Sequence, residues 1–248
     1  MDRLDYLRRD SFYTGVTEGN IGSARIIKML NVVNDSLVVD QKGIYSLENY
    51  LTTRRLMYWQ VYLHRTCVAY EKVLVNMLTR AKDLIRMGQD VFASPALHYF
   101  LANEVDAQWF GSHPEALSYY EELDDSDIWS AMKAWKHHND KILSTLATDM
   151  LDRRIFKVEV HEEPVAEERL AELREDIAKR LGIDTEDAHY LMNVSTISKD
   201  MYNVDDDSIA ILYKNGEVKD ISEASELLNV QLLSKKIRKY YLCYQRFE

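Results

Sequence analysis

The chain has 248 residues, of which 46% are hydrophobic; this is enough for one large or two small cores and excludes wholesale disorder. Its formal net charge of −10 argues against non-specific binding to nucleic acid or anionic lipid, because both need a basic surface. Cys67 and Cys243 lie far apart in sequence and have no metal-ligand spacing, so we expect a reduced, cytoplasmic protein. The sequence has neither a leader nor an apolar run of about 18 residues, so we expect no membrane span.

The first part of the sequence predicts helices, because three prolines and eight glycines favour long helices over an all-β fold. Residues 2–12 predict a helix that ends near Thr14 and Gly15, where glycine can adopt the left-handed conformation. SLVVD predicts a short strand at 36–40. Further helices are predicted at 21–31, at 46–88 (one helix or two in series, capped by Ser46), and at 94–104, 114–122, 126–137 and 139–152.

The pattern changes after residue 153. IFKVEV alternates as a strand does, and PVAEERLAELREDIAKRLG is an amphipathic helix with proline in its first turn and glycine at its end. HYLMNV, SIAILY and KYYLCY predict short strands, and the Asn-Gly pair in KNGEV predicts a hairpin. We therefore predict a mainly α protein with a helical domain at 1–153 and a smaller α+β region at 154–248.

The predicted opening helix has a polar stripe. Asp2, Tyr6 and Asp10 lie four residues apart and so share one face, flanked by Arg3 and Arg9. Carboxylates, a phenol and guanidinium groups on one surface suit a phosphorylated ligand. The alternative is a solvated helix face with charge pairs four residues apart.

A second polar stripe lies in TTRRLMYWQVYLHR. Arg54, Tyr58 and Tyr62 have the spacing i, i+4, i+8. Arginine binds phosphate with two parallel hydrogen bonds, which favours a role in binding. The alternative is that the tyrosines pack in the core while Arg54 faces water.

Taken together, DRLDYLRRDSFYTGV and TTRRLMYWQVYLH resemble the second half of the catalytic core of HD-domain phosphohydrolases, in the branch of the deoxynucleoside triphosphate triphosphohydrolases. The resemblance is strong over residues 1–65 and weak over 208–248. It implies a substrate nucleotide, a divalent metal ion and roles for six side chains. It makes Asp2 catalytic as the last metal ligand, assigns phosphate contacts to Arg3 and Arg54, and assigns sugar or nucleoside contacts to Tyr6, Asp10 and Tyr62.

The remaining metal ligands of the family, a His and a His-Asp pair, precede the helix that resembles residues 2–12. Only Met1 precedes Asp2 here, so we expect a C-terminal piece of a longer phosphohydrolase that is inactive alone. KHHND at 136–140 does not reproduce the His-Asp pair, and we interpret its histidines as surface or capping residues. The alternative function is a non-catalytic nucleotide-binding module or an oligomeric assembly module.

Homo-oligomers are expected, because the family forms them and the stretch at 97–123 is rich in aromatic residues that often anchor interfaces. The alternative is that Trp109, Phe110, Tyr119 and Tyr120 fill the core of the chain itself.

Overall fold

A computed structural model describes residues 2–199, 208–225 and 237–247. The helices of this part are α1 Asp2–Thr14, α2 Ser23–Lys28, α3 Ile44–Met57, α4 Arg65–Arg86, α5 Pro95–Ala102, α6 Ala107–Ser112, α7 Glu115–Glu122, α8 Asp125–Trp135, α9 Lys141–Leu151, α10 Glu167–Leu181 and α11 Ile221–Ala224. The strands are β1 Leu30–Val33, β2 Ser36–Asp40, β3 Lys157–His161, β4 Met192–Lys199, β5 Ala210–Leu212, β6 Val218–Asp220 and β7 Ile237–Tyr244. The predicted fold class, mainly α with a smaller α+β part, is confirmed.

The chain forms two compact units, and each is discontinuous in sequence. Unit 1 comprises Met1–Cys67 and Ile197–Lys239, and unit 2 comprises Val68–Thr196 and Tyr240–Glu248. The division at residue 153 that the sequence suggests stays a prediction. No helix in the described ranges is both long enough and apolar enough to cross a bilayer.

Unit 1 packs α1, α2 and α3 beside a four-stranded sheet of order β1-β2-β5-β6. The helix predicted at 2–12 is confirmed, and Gly15 follows it with a left-handed φ of 71°. The Asn-Gly hairpin is confirmed between β5 and β6, with Gly216 at φ 85°. Leu7, Leu51 and Met57 are fully buried in the core of this unit.

The helix predicted at 21–31 is wrong at its C-terminal end. Helix α2 ends at Lys28, and strand β1 begins at Leu30. The reversal lies at Asn34 and Asp35, whose φ values are 50° and 59°. Two successive positive φ values match the tight hairpin turn whose twist suits antiparallel strands, and Asn and Asp are the non-glycine residues that tolerate it best. The hairpin therefore joins β1 and β2 directly.

The helix predicted at 46–88 is two helices in series. α3 begins at Ile44 with Gly43 at its N-cap, so the predicted Ser46 cap is wrong. A π-helical turn at Tyr58–Tyr62 interrupts the helical path before α4. Helix α6 was not predicted from the sequence, because its six residues are too short for a helical period.

Unit 2 contains most of α4, helices α5–α10, strand β3 and the greater part of β7 and β4, in the sheet order β3-β7-β4. Four helices begin at side chains that accept a backbone N–H bond, which are Ser94, Asp106, Asp124 and Asp140. Helix α10 ends at Gly182, whose φ is 60°, as the sequence predicts. Pro164 precedes the helix, which begins after Ala166, so the predicted proline in the first turn is wrong.

A buried ion pair organises unit 2. Arg80 on α4 donates two hydrogen bonds to Asp140 at the start of α9, with Nε–Oδ1 and Nη2–Oδ2 distances of 3.2 and 2.7 Å. A further ion pair of 3.4 Å joins Arg80 to Asp187, and the guanidinium lies 4.9 Å from the ring centre of Tyr190. Burial raises the pKa of Asp140, but the bonds from Arg80 and Leu143 N outweigh it and lower this pKa below its usual value.

Candidate functional site

The two polar stripes meet in unit 1 through a hydrogen bond. The hydroxyl of Tyr62 donates to Asp10 Oδ2 over 2.6 Å, which joins α1 to the π-helical turn after α3. The ring of Tyr62 contacts Tyr6 edge to face at 6.0 Å between centroids, and Tyr58 at 5.3 Å. We call Tyr6, Asp10, Arg54, Tyr58 and Tyr62 the tyrosine cluster.

The π-helical turn shapes this cluster locally. The Leu63 N–H donates to Tyr58 O over 2.7 Å, which is the i+5 bond that defines such a turn. One extra residue in this turn shifts the direction in which the following side chains leave the helix. The rings of Tyr58 and Tyr62 contact each other, and Tyr62 also contacts Tyr6 on α1. Single-turn π-helices are frequent at functional sites, so this irregularity agrees with a binding role.

Arg54 supplies positive charge to the cluster. Its Cζ atom lies 5.7 Å from the ring centre of Tyr58. Burial, followed by the charge and hydrogen bond of Tyr58, raises the pKa of Tyr6 from 10.0 to about 12, although the charge of Arg54 lowers it. Arg54 is therefore close enough to act electrostatically on Tyr6.

The phenols of Tyr6 and Tyr62 remain protonated at neutral pH. The pKa of Tyr62 is raised by burial first, and then by the hydrogen bond and negative charge of Asp10. Neutral hydroxyls can donate or accept a hydrogen bond, and they do not repel a phosphate. The cluster thus combines neutral donors, one carboxylate and one guanidinium.

Asp2 and Arg3 lie at the other end of α1. Both are exposed, and both line a cavity of about 540 Å³ whose wall is largely apolar, with Leu47 and Val39 among its residues. Tyr50 also lines this cavity, and its charge acts on Tyr6. The structure therefore brings Asp2 and Arg3 to one cavity, and the other four predicted site residues to the neighbouring cluster.

Tyr50 is a residue that the sequence reasoning missed. The signal was present, since Tyr50 precedes Arg54 by four residues and extends the i, i+4 series of Arg54, Tyr58 and Tyr62 in the N-terminal direction.

The described residues do not form a metal site by themselves. In the ranges that the structure covers, no group of three His, Cys, Asp or Glu side chains is placed to hold an ion. His138 lies 3.2 Å from Asp90 O through Nε2, and its Nδ1 accepts the N–H of Asp140, as a capping residue does. Asp2 therefore belongs to no such group among the residues that the structure describes.

Comparisons with known proteins agree with the motifs. Residues 21–94 match the family described as HD associated region, and this range includes Arg54 and Tyr62. The chain is 32% identical over 243 residues to the uncharacterized protein YwfO of Bacillus subtilis, which covers 96% of the chain and 53% of that protein. A second relative is the deoxynucleoside triphosphate triphosphohydrolase SAMHD1 homolog of Dictyostelium discoideum. The identity is 26% over 91 residues, which cover 37% of this chain and 18% of that protein.

Solved structures share the fold. A phosphohydrolase from Bacteroides thetaiotaomicron has a TM-score of 0.92 and 59% identity, over 99% of this chain and 61% of that one. A hypothetical protein from Aquifex aeolicus has a TM-score of 0.61 and 25% identity, over 99% and 54%. The chain spans about half the length of the B. subtilis relative. In sequence and fold, the chain is similar to HD-domain phosphohydrolases.

Proposed function

We propose that this chain provides nucleotide-binding side chains to a metal-dependent phosphohydrolase of the HD type, whose substrates are deoxynucleoside triphosphates. The observation that carries the proposal is the 2.6 Å bond between Tyr62 and Asp10. It unites two motifs, each of which resembles this family, in one cluster that also contains Arg54. The sequence and fold similarity to a phosphohydrolase supports the same assignment.

The cluster has the chemistry that a nucleotide requires. Arg54 can bind phosphate oxygens with a bidentate pair of bonds, and Arg3 can add a second positive charge from the neighbouring cavity. A carboxylate has about four lone-pair sites, so Asp10 can accept a sugar hydroxyl while it remains bonded to Tyr62. The rings of Tyr6 and Tyr62 can flank the sugar or base.

A divalent metal would activate water and polarise the phosphoryl group. Asp2 is the side chain that would contribute one of its ligands. The described residues do not complete such a site. We therefore propose that a protein with all the metal ligands hydrolyses the nucleotide, and that this chain alone only binds it.

A second candidate is a non-catalytic nucleotide-binding or assembly module. The observation that favours it is the same lack of a three-ligand cluster in the part of the chain that the structure describes. Nucleotide binding by Arg54 and Asp10 is common to the phosphohydrolase and the nucleotide-binding module, and metal-dependent hydrolysis separates these two. An assembly module would do neither.

The test is a chimera in which this chain replaces the matching part of the B. thetaiotaomicron phosphohydrolase, to which it is 59% identical. The chimera and its parent are incubated with each deoxynucleoside and ribonucleoside triphosphate in the presence of manganese, magnesium or iron, and released phosphate and triphosphate are measured. We expect metal-dependent hydrolysis of deoxynucleoside triphosphates by both proteins. A folded chimera that binds nucleotides without hydrolysing them, beside an active parent, would favour the non-catalytic module.

A further inference from the structure

Unit 2 has a strongly acidic segment. Residues 105–132 contain seven acidic residues and no Lys or Arg, although the whole chain has 31 of these basic residues. The segment spans α6, α7 and the greater part of α8. A one-sign stretch of this length produces a local negative potential that attracts positively charged ligands.

The same segment exposes aromatic and aliphatic side chains. Tyr120 and Leu117 on α7 are 60% and 55% exposed, and they lie three residues apart on one face of the helix. The ring of Tyr120 contacts Phe110 at 6.2 Å and Phe100 at 6.4 Å between centroids, both edge to face. These four side chains and the acidic residues beside them on α7 form what we call the acidic–aromatic face.

Three further aromatic residues of unit 2, Tyr99, Trp109 and Tyr119, contact one another. Tyr99 stacks on Tyr119 at 4.6 Å, and its hydroxyl accepts a 2.9 Å hydrogen bond from Trp109 Nε1. Trp109 and Tyr119 are partly buried, whereas Phe110 and Tyr120 point to solvent. The rings of Phe110 and Tyr120 are therefore accessible to a partner.

The charges on α7 are placed against local stability. Glu121 and Glu122 occupy its last turn, which contains no basic residue. The C-terminal end of a helix carries partial negative charge, so carboxylates there weaken the helix and lysines would strengthen it. Replacing these carboxylates by lysines should therefore not weaken the helix.

We propose that the acidic–aromatic face binds a basic segment of another protein, rich in Arg and Lys and carrying apolar side chains. Charge complementarity selects this partner: carboxylates such as Glu121 bind guanidinium groups, and the rings of Tyr120 and Phe110 attract cations through their faces. Apolar side chains of the segment would cover Leu117. This role is separate from nucleotide chemistry, because every residue of the face lies in unit 2.

A second copy of the chain is a poorer occupant. In a two-fold symmetric dimer the same face meets itself, so the seven acidic residues of each copy would lie near those of the other and repel them. The homo-oligomer that the sequence suggested on this stretch remains an outcome of the test.

The test measures binding of a fluorescein-labelled amphipathic peptide built from Leu, Lys and Arg to the full chain, by fluorescence anisotropy at two ionic strengths. One control peptide has Glu in place of the basic residues, and another has Ser in place of Leu. We expect the basic apolar peptide to bind most tightly, with weaker binding at high salt. Absence of binding, or equal binding of the Glu peptide, would overturn the proposal.

Matched variants locate the site. The double variant Glu121→Lys/Glu122→Lys should raise the Kd of the peptide about tenfold, and Tyr120→Ser should also weaken binding. Glu172→Lys/Glu175→Lys makes the same change in net charge on exposed positions of α10 and should leave the Kd within about twofold. Equal losses in both double variants would show general charge attraction and overturn the proposed site.

Folding and self-association are controlled separately. Because lysines suit the end of α7, Glu121→Lys/Glu122→Lys should keep or raise the Tm. Light scattering measures the mass, and so the oligomeric state, of the unchanged chain and of the variant Tyr120→Glu. A dimer of the unchanged chain that Tyr120→Glu dissociates would show that a second copy covers this face, and would contradict a basic partner.

Discussion

The hydroxyl of Tyr62 and the carboxylate of Asp10 are 52 positions apart in sequence and 2.6 Å apart in space. This bond is one of the contacts that join the opening helix to the π-helical turn after α3. It also fixes the ring of Tyr62 beside Tyr6, so that two tyrosines and a carboxylate face one region near Arg54.

Tyr62→Phe removes this bond and keeps the ring. We expect the free energy of unfolding to fall by about 1–2 kcal/mol, because a half-buried bond to a carboxylate is lost. Urea unfolding followed by circular dichroism measures this change. A change below about 0.3 kcal/mol would mean that solvent replaces the bond at no cost.

The raised pKa of Tyr6 predicts that the folded chain loses stability in alkali. The folded pKa of Tyr6 is about 12 against 10.0 for an ordinary phenol, so the folded state retains a proton that the unfolded state releases. The stabilisation is complete below pH 10 and disappears between about pH 10 and 12. Urea midpoints over this range should fall less steeply for Tyr6→Phe than for the unchanged chain, and parallel curves would show that Tyr6 contributes nothing.

Gly19 makes a close approach in unit 1 that a larger residue would block. A Cβ atom there would lie 2.3 Å from Ser11 Cβ and 2.8 Å from Met57 Sδ. Gly19→Ala should therefore destabilise the chain by about 1–3 kcal/mol through overpacking. Gly111→Ala is the control, since a Cβ at that helical position would meet no heavy atom within 4 Å beyond its chain neighbours and the backbone of its own helix. The control should be neutral or stabilising in thermal unfolding, and equal losses in the two variants would refute the packing argument.

Asp140→Asn tests the buried ion pair of unit 2. Asn can still cap α9, but the charge that Arg80 faces is lost, so we expect a cost of about 2–3 kcal/mol at pH 7. The folded pKa of Asp140 is below its unfolded value, so its contribution is present above about pH 4 and is lost as the pH falls below it. Denaturant unfolding at pH 7 and pH 3 should show a difference between the two proteins that shrinks in acid. A constant difference would exclude the charge as its cause.

Several features of the fold could be predicted because their signals are local. Helix α1 ends at Gly15, helix α10 ends at Gly182, and the hairpin at Asn215-Gly216 follows from turn chemistry. The motifs at Asp2–Asp10 and Arg54–Tyr62 were also visible, because they rest on the spacing of residue types along the sequence.

Other features depend on contacts that a sequence does not display. The reversal at Asn34-Asp35 uses two non-glycine residues at positive φ, and the π-helical turn at Tyr58–Tyr62 has no signal in composition or period. The pair Arg80–Asp140 joins positions 60 residues apart, so only the fold brings them together. For the same reason the sequence could not show that Tyr62 donates to Asp10.

The chain by itself is expected to bind deoxynucleoside triphosphates without hydrolysing them. Asp2 is the single metal ligand that the resemblance assigns, and the described residues provide no three-ligand group. Isothermal titration calorimetry should detect binding that Asp10→Ala weakens. Phosphate release by the purified chain near a typical enzyme's few turnovers per second would contradict this expectation.

The most direct test of the proposed nucleotide site is the kcat/KM of the chimeric phosphohydrolase for its best deoxynucleoside triphosphate, with and without Arg54→Ala. A guanidinium that stabilises charge on phosphate contributes roughly 3–4 kcal/mol. At about 1.4 kcal/mol per decade, its loss should lower kcat/KM by about a hundredfold or more. Arg54→Lys should also be impaired because it lacks the bidentate fork, Arg55→Ala should stay near the parent, and the Tm of each should shift by only a few degrees. If Arg54→Ala retains kcat/KM within about threefold of the unchanged chimera, Arg54 is structural and the proposed site is wrong.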